Sequence, residues 1–166
     1  MAKSIWTNSW IGLLLLCACE TTTIYQNTAT LADHTWRADS LLNFSFHIHD
    51  TTQPYDIYLM VKNMQDYPYQ NLYITYYLED ITQTLLNTEL RNYALFEVKT
   101  GKPWGSGWGK VKSHKFIVLK NHHFLWPGLY TLKLAQFMRT EALTGLHAVG
   151  IKVAKSTQNS QERTTR

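Results

Sequence analysis

Leu72-Tyr73-Ile74-Thr75-Tyr76-Tyr77-Leu78-Glu79 is the stretch that decides the fold. Leu72, Ile74, Tyr76 and Leu78 occupy every second position, and Tyr73, Thr75, Tyr77 and Glu79 fill the gaps, which is the period of a strand with one buried face. The same period runs outward in both directions. Leu42, Phe44, Phe46 and Ile48 alternate with Asn43, Ser45, His47 and His49, and Ile57, Leu59 and Val61 with Tyr58, Met60 and Lys62. Toward the C-terminus, Tyr130, Leu132 and Leu134 alternate with Thr131, Lys133 and Ala135, and Val149, Ile151 and Val153 with Gly150, Lys152 and Ala154. Weaker strand patterns lie at Thr84–Arg91 and Lys115–Phe124. Turn residues separate these runs: Asp50–Pro54, Asn63–Tyr69 with Pro68, Gly101–Gly109, and Trp126-Pro127-Gly128. A helical period shows only in Leu134–Leu143, a candidate short helix. The expectation is an all-β antiparallel sandwich of about seven to eight strands, Ig-like or jelly-roll-like, over residues 31–154.

Composition agrees. Of 166 residues, 45% are hydrophobic and 17% charged, which excludes a disordered chain and a coiled coil. A domain of this size buries roughly two-thirds of its unfolded surface, enough for a core without disulfides. The net charge of +4 is spread along the chain with no basic run, so nucleic acid is not an expected partner.

The N-terminus reads as an export signal. Lys3 precedes the apolar run Ile11-Gly12-Leu13-Leu14-Leu15-Leu16, which is too short to span a bilayer. Leu16-Cys17-Ala18-Cys19 then resembles the bacterial lipobox, which implies cleavage after Ala18 and acylation of Cys19. The two cysteines, Cys17 and Cys19, both lie here, so no disulfide framework is available to the domain. More than one acyl chain is needed for a stable anchor, and a lipidated N-terminal Cys carries them. The expected organisation is a signal peptide over 1–18, a lipidated polar tether over 19–30, the sandwich over 31–154, and a frayed polar tail over 155–166.

Chemistry-bearing motifs are scarce. In Trp104-Gly105-Ser106-Gly107-Trp108-Gly109-Lys110, a phosphate loop ending at Lys110 needs Gly where Trp104 stands and Ser or Thr where Val111 stands. The dinucleotide pattern fails at Lys110. A tight loop between strands is the better reading. His47 and His49 share one strand face, but a zinc site needs three or four ligands, and neither His122-His123 nor a cysteine completes it; no metal is expected. Ser106 has no assigned base, and Asp66, Glu79 and Asp80 read as turn residues. No catalytic residue and no cofactor, other than lipid on Cys19, is expected.

Aromatic residues are the strongest compositional signal. Seven of the ten tyrosines fall between Tyr55 and Tyr77. Tyr67, Tyr69, Trp104 and Trp108 sit in turns, where an aromatic either folds back on the domain or meets a partner. All four are candidate partner-surface residues. Trp108, between two glycines, is favoured for that role, whereas Tyr67 and Tyr69 are expected to pin strand ends.

Lys62-Asn63-x-x-Asp66-Tyr67-Pro68-Tyr69-x-Asn71-Leu72 resembles the signature stretch of the gliding-motility lipoprotein H family (GldH) of Bacteroidetes. Other pieces follow in the family's order: Cys19, Trp36, Gln53-Pro54-Tyr55, the Gly101–Gly109 loop, Leu134-Ala135-Gln136-Phe137-Met138-Arg139, and Val149-Gly150-Ile151. The likeness covers roughly residues 19–153. It implies a non-enzymatic, lipid-anchored envelope protein at the outer membrane, a component for gliding motility or type IX secretion, with other envelope proteins as partners. The alternative from the residues alone is a surface lipoprotein that binds carbohydrate through its tyrosines and tryptophans.

Overall fold

The computed structural model describes residues 23–107 and 109–156. The signal segment, Cys19, Trp108 and residues 157–166 of the expected tail lie outside the described residues. Ten antiparallel strands make up the fold of the described residues. They are β1 Thr23–Thr30, β2 Thr35–Arg37, β3 Leu42–Ile48, β4 Tyr55–Met64, β5 Asn71–Glu79, β6 Leu85–Ala94, β7 Val111–His122, β8 Gly128–Gln136, β9 Ala142–Thr144 and β10 Leu146–Lys155.

One sheet has the order β1-β10-β4-β7 and the other β3-β8-β5-β6, while β2 and β9 form a two-stranded pair. Among the eight long strands, the first pairs with the last (β1 with β10), the second with the seventh (β3 with β8), the third with the sixth (β4 with β7) and the fourth with the fifth (β5 with β6). That nested pairing is one long hairpin wound into two sheets, the jelly-roll connectivity, and it decides between the two sandwich types expected from sequence.

The alternation read from sequence faces inward as expected. Phe44, Phe46 and Ile48, Ile57, Leu59 and Val61, Leu72, Ile74, Tyr76 and Leu78, Leu132 and Leu134, and Val149, Ile151 and Val153 are all buried. Aromatic rings tie the sheets together: Tyr25 of β1 lies 5.9 Å from Phe46 of β3, and Tyr93 of β6 lies 4.8 Å from Phe116 of β7. Ring contacts of this kind add modestly to what burial itself contributes.

Three expectations need correction. Thr23–Thr30, expected within a polar tether, is strand β1, paired with β10 from Thr23↔Ala154 to Thr30↔Ala148. It is an edge strand with much of its surface wet, so its backbone pairs while its side chains stay largely polar. Leu134–Leu143 contains no helix. Gln136 is buried there, donating from Nε2 to Thr140 O (2.9 Å) and accepting at Oε1 from Met138 N (2.7 Å), which folds the chain into a loop between β8 and β9. The strand count also rises to ten, because β1 and the three-residue strands β2 and β9 lack enough residues or alternation to register as a period. In that small pair Trp36 faces Leu143, both are buried, and Trp36 Nε1 donates to Ser40 O at 2.9 Å.

Antiparallel winding sorts the connections between two ends. The β1–β3, β4–β5, β6–β7 and β8–β10 connections meet at one end. The β3–β4, β5–β6 and β7–β8 loops lie at the other, beside Thr23 and Ser156.

Candidate functional site

The Asn63–Leu72 signature forms the β4–β5 turn, and its side chains fasten that turn from beneath. Asn63 is the last inward residue of β4 and is wholly buried. Its Nδ2 donates to Met64 O at 2.9 Å, which leaves Oδ1 facing His114 Nε2 at 2.8 Å on β7. An amide oxygen only accepts, so the ring carries its proton on Nε2. Burial pushes the His114 pKa down, which keeps the ring neutral. A Cβ on Gly105 would stand 2.6 Å from His114 Nε2, so the glycine loop packs directly on this histidine.

Tyr67 completes the fastening. It is buried, donates from its hydroxyl to Asn71 O at 2.9 Å, and lies parallel to Phe96 with ring centroids 6.4 Å apart. Burial pushes its phenol well above the ordinary range. The turn is further held where Met64 N donates to Gly145 O (2.8 Å), and where Leu95 N and Phe96 N both donate to Gln70 O (2.9 and 3.0 Å). Tyr67 is therefore a core residue, which removes it from the candidate partner surface.

Tyr69 lies edge-on to Tyr67, with ring centroids 5.9 Å apart, and is 40% exposed. It borders an open cleft of about 610 Å³ with Tyr73 of β5, Leu90 of β6, and Phe137, Met138 and Arg139 of the β8–β9 loop. Phe137 N donates to Tyr73 O at 2.8 Å, extending the sheet hydrogen bonding past the end of β8 and fixing the cleft floor. Tyr73, Leu90 and Phe137 are all substantially exposed, so the cleft is an apolar depression with one cationic side chain, Arg139, on its wall. A cleft of this size and lining suits a protruding side chain or a small ligand.

Trp104 is 64% exposed but is not among the cleft residues. Its backbone N–H donates to Leu95 O at 2.9 Å. Beyond it the chain doubles back, with Ser106 and Ser113 exchanging backbone hydrogen bonds of 3.0 and 2.8 Å and Lys112 Nζ donating to Gly107 O at 2.8 Å. The glycine loop is thus a tight reversal leading into β7. Trp108 lies outside the described residues.

Sequence reasoning missed Leu90, Phe137 and Arg139 as site residues. Tyr73 had a usable signal, because alternation places it on the face opposite Leu72 and Ile74. Phe137 had none, since only the sheet geometry brings a residue after β8 beside β5. His47 on the outer face of β3 and His49 just past its end are both exposed, with ring centroids 4.3 Å apart. Among the described residues, no group of three or more His, Cys, Asp or Glu side chains gathers with metal-binding geometry.

Comparison with known proteins places the chain. The sequence profile of a family described as GldH lipoprotein matches residues 23–153. The chain is 28% identical over 152 residues to the gliding motility lipoprotein GldH homolog of Christiangramia forsetii, covering 87% of this chain and 91% of that one. It is 21% identical over 150 residues to gliding motility lipoprotein GldH of Flavobacterium johnsoniae, covering 86% and 91%. Among solved structures, the infectious bursal disease virus VP2 subviral particle overlaps 80% of this chain and 32% of that chain, with a TM-score of 0.39 and 15% identity. The profile runs from the first residue of β1 into β10, ending at Val153, and the chain belongs to the GldH lipoprotein family.

Proposed function

We propose that the protein is a lipid-anchored, non-enzymatic component of the outer membrane that supports gliding motility and type IX secretion by binding another envelope protein. Membership of the GldH lipoprotein family over residues 23–153 carries this reading. The geometry of the sandwich supports it. Cys19, the expected lipid site, precedes β1 at one end, while the cleft of Tyr69, Tyr73, Phe137 and Arg139 lies toward the other. An apolar cleft held away from the anchor is where a partner has access, and aromatic and arginine side chains dominate binding energy at interfaces.

Clean deletion of the gene tests the proposal: spreading on agar and secretion of surface adhesins should both fall. A second reading, carbohydrate binding, draws on the same aromatic cleft, since tyrosine faces also stack on sugar rings. Normal spreading with loss of growth on one polysaccharide would favour that reading instead.

A further inference from the structure

The end of the sandwich opposite the cleft carries its own unexplained feature. The β7–β8 loop reads His123-Phe124-Leu125-Trp126-Pro127. Phe124 is buried, with its ring 6.0 Å from Phe46, 5.8 Å from Tyr55 and 4.5 Å from Tyr130. Tyr130 donates from its hydroxyl to Trp126 O at 2.7 Å. With the loop pinned at both points, Leu125 and Trp126 project outward, 80% and 74% exposed. Ile81, 71% exposed, stands on the neighbouring β5–β6 loop. That loop is locked by Asp80, whose Oδ1 accepts from Thr82 N (2.9 Å), Thr84 N (3.0 Å) and Thr82 Oγ1 (2.7 Å). Three large apolar side chains are thus held in water by well-braced loops, at a cost that a solitary surface would not need to carry.

The position of β1 says what covers them. Thr23 pairs with Ala154, Lys155 with Tyr55, and Tyr55 with His122, so β1 begins at the end from which the Leu125–Trp126 loop departs. Cys19 precedes Thr23 by four residues. Whatever conformation those residues take, they span no more than about 14 Å. A lipid on Cys19 therefore brings this end of the domain, and not the cleft end, against the bilayer.

We propose that Leu125, Trp126 and Ile81 insert into the interface of the membrane that holds the lipidated Cys19, fixing the domain upright with its cleft facing away. The proposal rests on the reading of Cys19 as the lipid site. Tryptophan is suited to the headgroup level, and leucine and isoleucine to the acyl boundary beneath it. Charge contributes little. Lys120, Lys155, His122 and His123 share this end with Asp50, Asp56 and Asp80, so neither sign dominates, and all three carboxylates are occupied by hydrogen bonds. The contact should therefore be as firm on zwitterionic as on anionic lipid.

The mature chain purified from membranes and reconstituted in phosphatidylcholine vesicles provides the test. An environment-sensitive fluorophore is attached to Leu125→Cys and, as the far-end control, to Val98→Cys in the exposed β6–β7 loop. The Leu125 probe should shift to the blue and be quenched by a nitroxide on the lipid chains, whereas the Val98 probe should do neither. Adding phosphatidylglycerol should not change this contrast. Equal quenching at both sites, or a blue shift at Leu125 without lipid quenching as in self-association, overturns the proposal. Labelling the parent protein separates the two readings, because Cys19 is the one thiol expected in the mature chain. Label on Cys19 means the anchor reading itself fails, whereas a blocked Cys19 with a wet Leu125 probe means that only the docking fails.

Discussion

Asn63 on β4 accepts a 2.8 Å hydrogen bond at Oδ1 from His114 Nε2 on β7, and both side chains are buried. This pair connects the base of the β4–β5 turn to the strand on which the glycine loop rests. Replacing Asn63 with Ala leaves a buried ring N–H without its partner and frees Met64 O. The expected loss is about 1–3 kcal/mol of stability, the usual cost of an unsatisfied buried group. Chemical denaturation of the two proteins checks it.

The same pair predicts a pH response. Burial holds the His114 pKa below its ordinary value, and its contacts Asn63, Gly105 and Phe116 bring no charge to it. The unfolded chain therefore takes up a proton at this site where the folded chain does not, so stability should fall as pH drops below about 6.5 and be unaffected by this group above it. His122, held down by burial and by neighbouring His123, acts in the same direction. Melting temperatures measured on both sides of that pH should show a smaller drop for His114→Gln than for the parent protein.

Tyr67 and Tyr69, two residues apart, should respond to different degrees. Tyr67→Ala removes a buried ring and its bond to Asn71 O, and should cost about 3–5 kcal/mol. Tyr69→Ala removes a half-exposed ring that meets Tyr67 edge-on and should cost less, about 0.5–1.5 kcal/mol. Tyr69→Ala and Phe137→Ala should instead weaken capture of the partner in envelope pull-downs. Unchanged capture by both variants would remove the cleft from the proposed function.

Gly145 has φ +79°, and a Cβ there would stand 2.7 Å from Tyr67 Cα. Gly145→Ala should cost about 1–3 kcal/mol for the backbone conformation alone, with the overlap against the β4–β5 turn in addition. Thermal unfolding should show this loss, and retention of the parent melting temperature would show that the turn can retreat.

Metabolic labelling with palmitate should mark the parent protein and leave Cys19→Ala unlabelled. Equal label on both would move the lipid elsewhere.

Strands β3, β4, β5 and β8 were legible because each buries one face against the opposite sheet, and that burial writes a period of two into the residues themselves; β10, buried on both faces for most of its length, keeps the period by setting Gly150, Lys152 and Ala154 between Val149, Ile151 and Val153. β1 was not legible, since an edge strand is held by its backbone bonds to β10 and needs little apolar side-chain surface. The expected helix at Leu134–Leu143 failed for a related reason: Gln136 is buried, and its amide groups satisfy loop backbone in place of a helical turn.

By itself, the sequence determined the all-β class, the inward residues of the main strands and the family likeness, all of which are local patterns along the chain. Only the tertiary structure decided the jelly-roll winding, because strand order depends on pairings between segments as distant as Thr23 and Ala154. It also separated Tyr67 from Tyr69, whose identical side chains diverge only through what lies beneath each. The joining of Tyr69, Tyr73 and Phe137 in one cleft, and the placing of Leu125 and Trp126 at the end from which β1 departs, likewise follow from how the sheets wind, which no window of sequence contains.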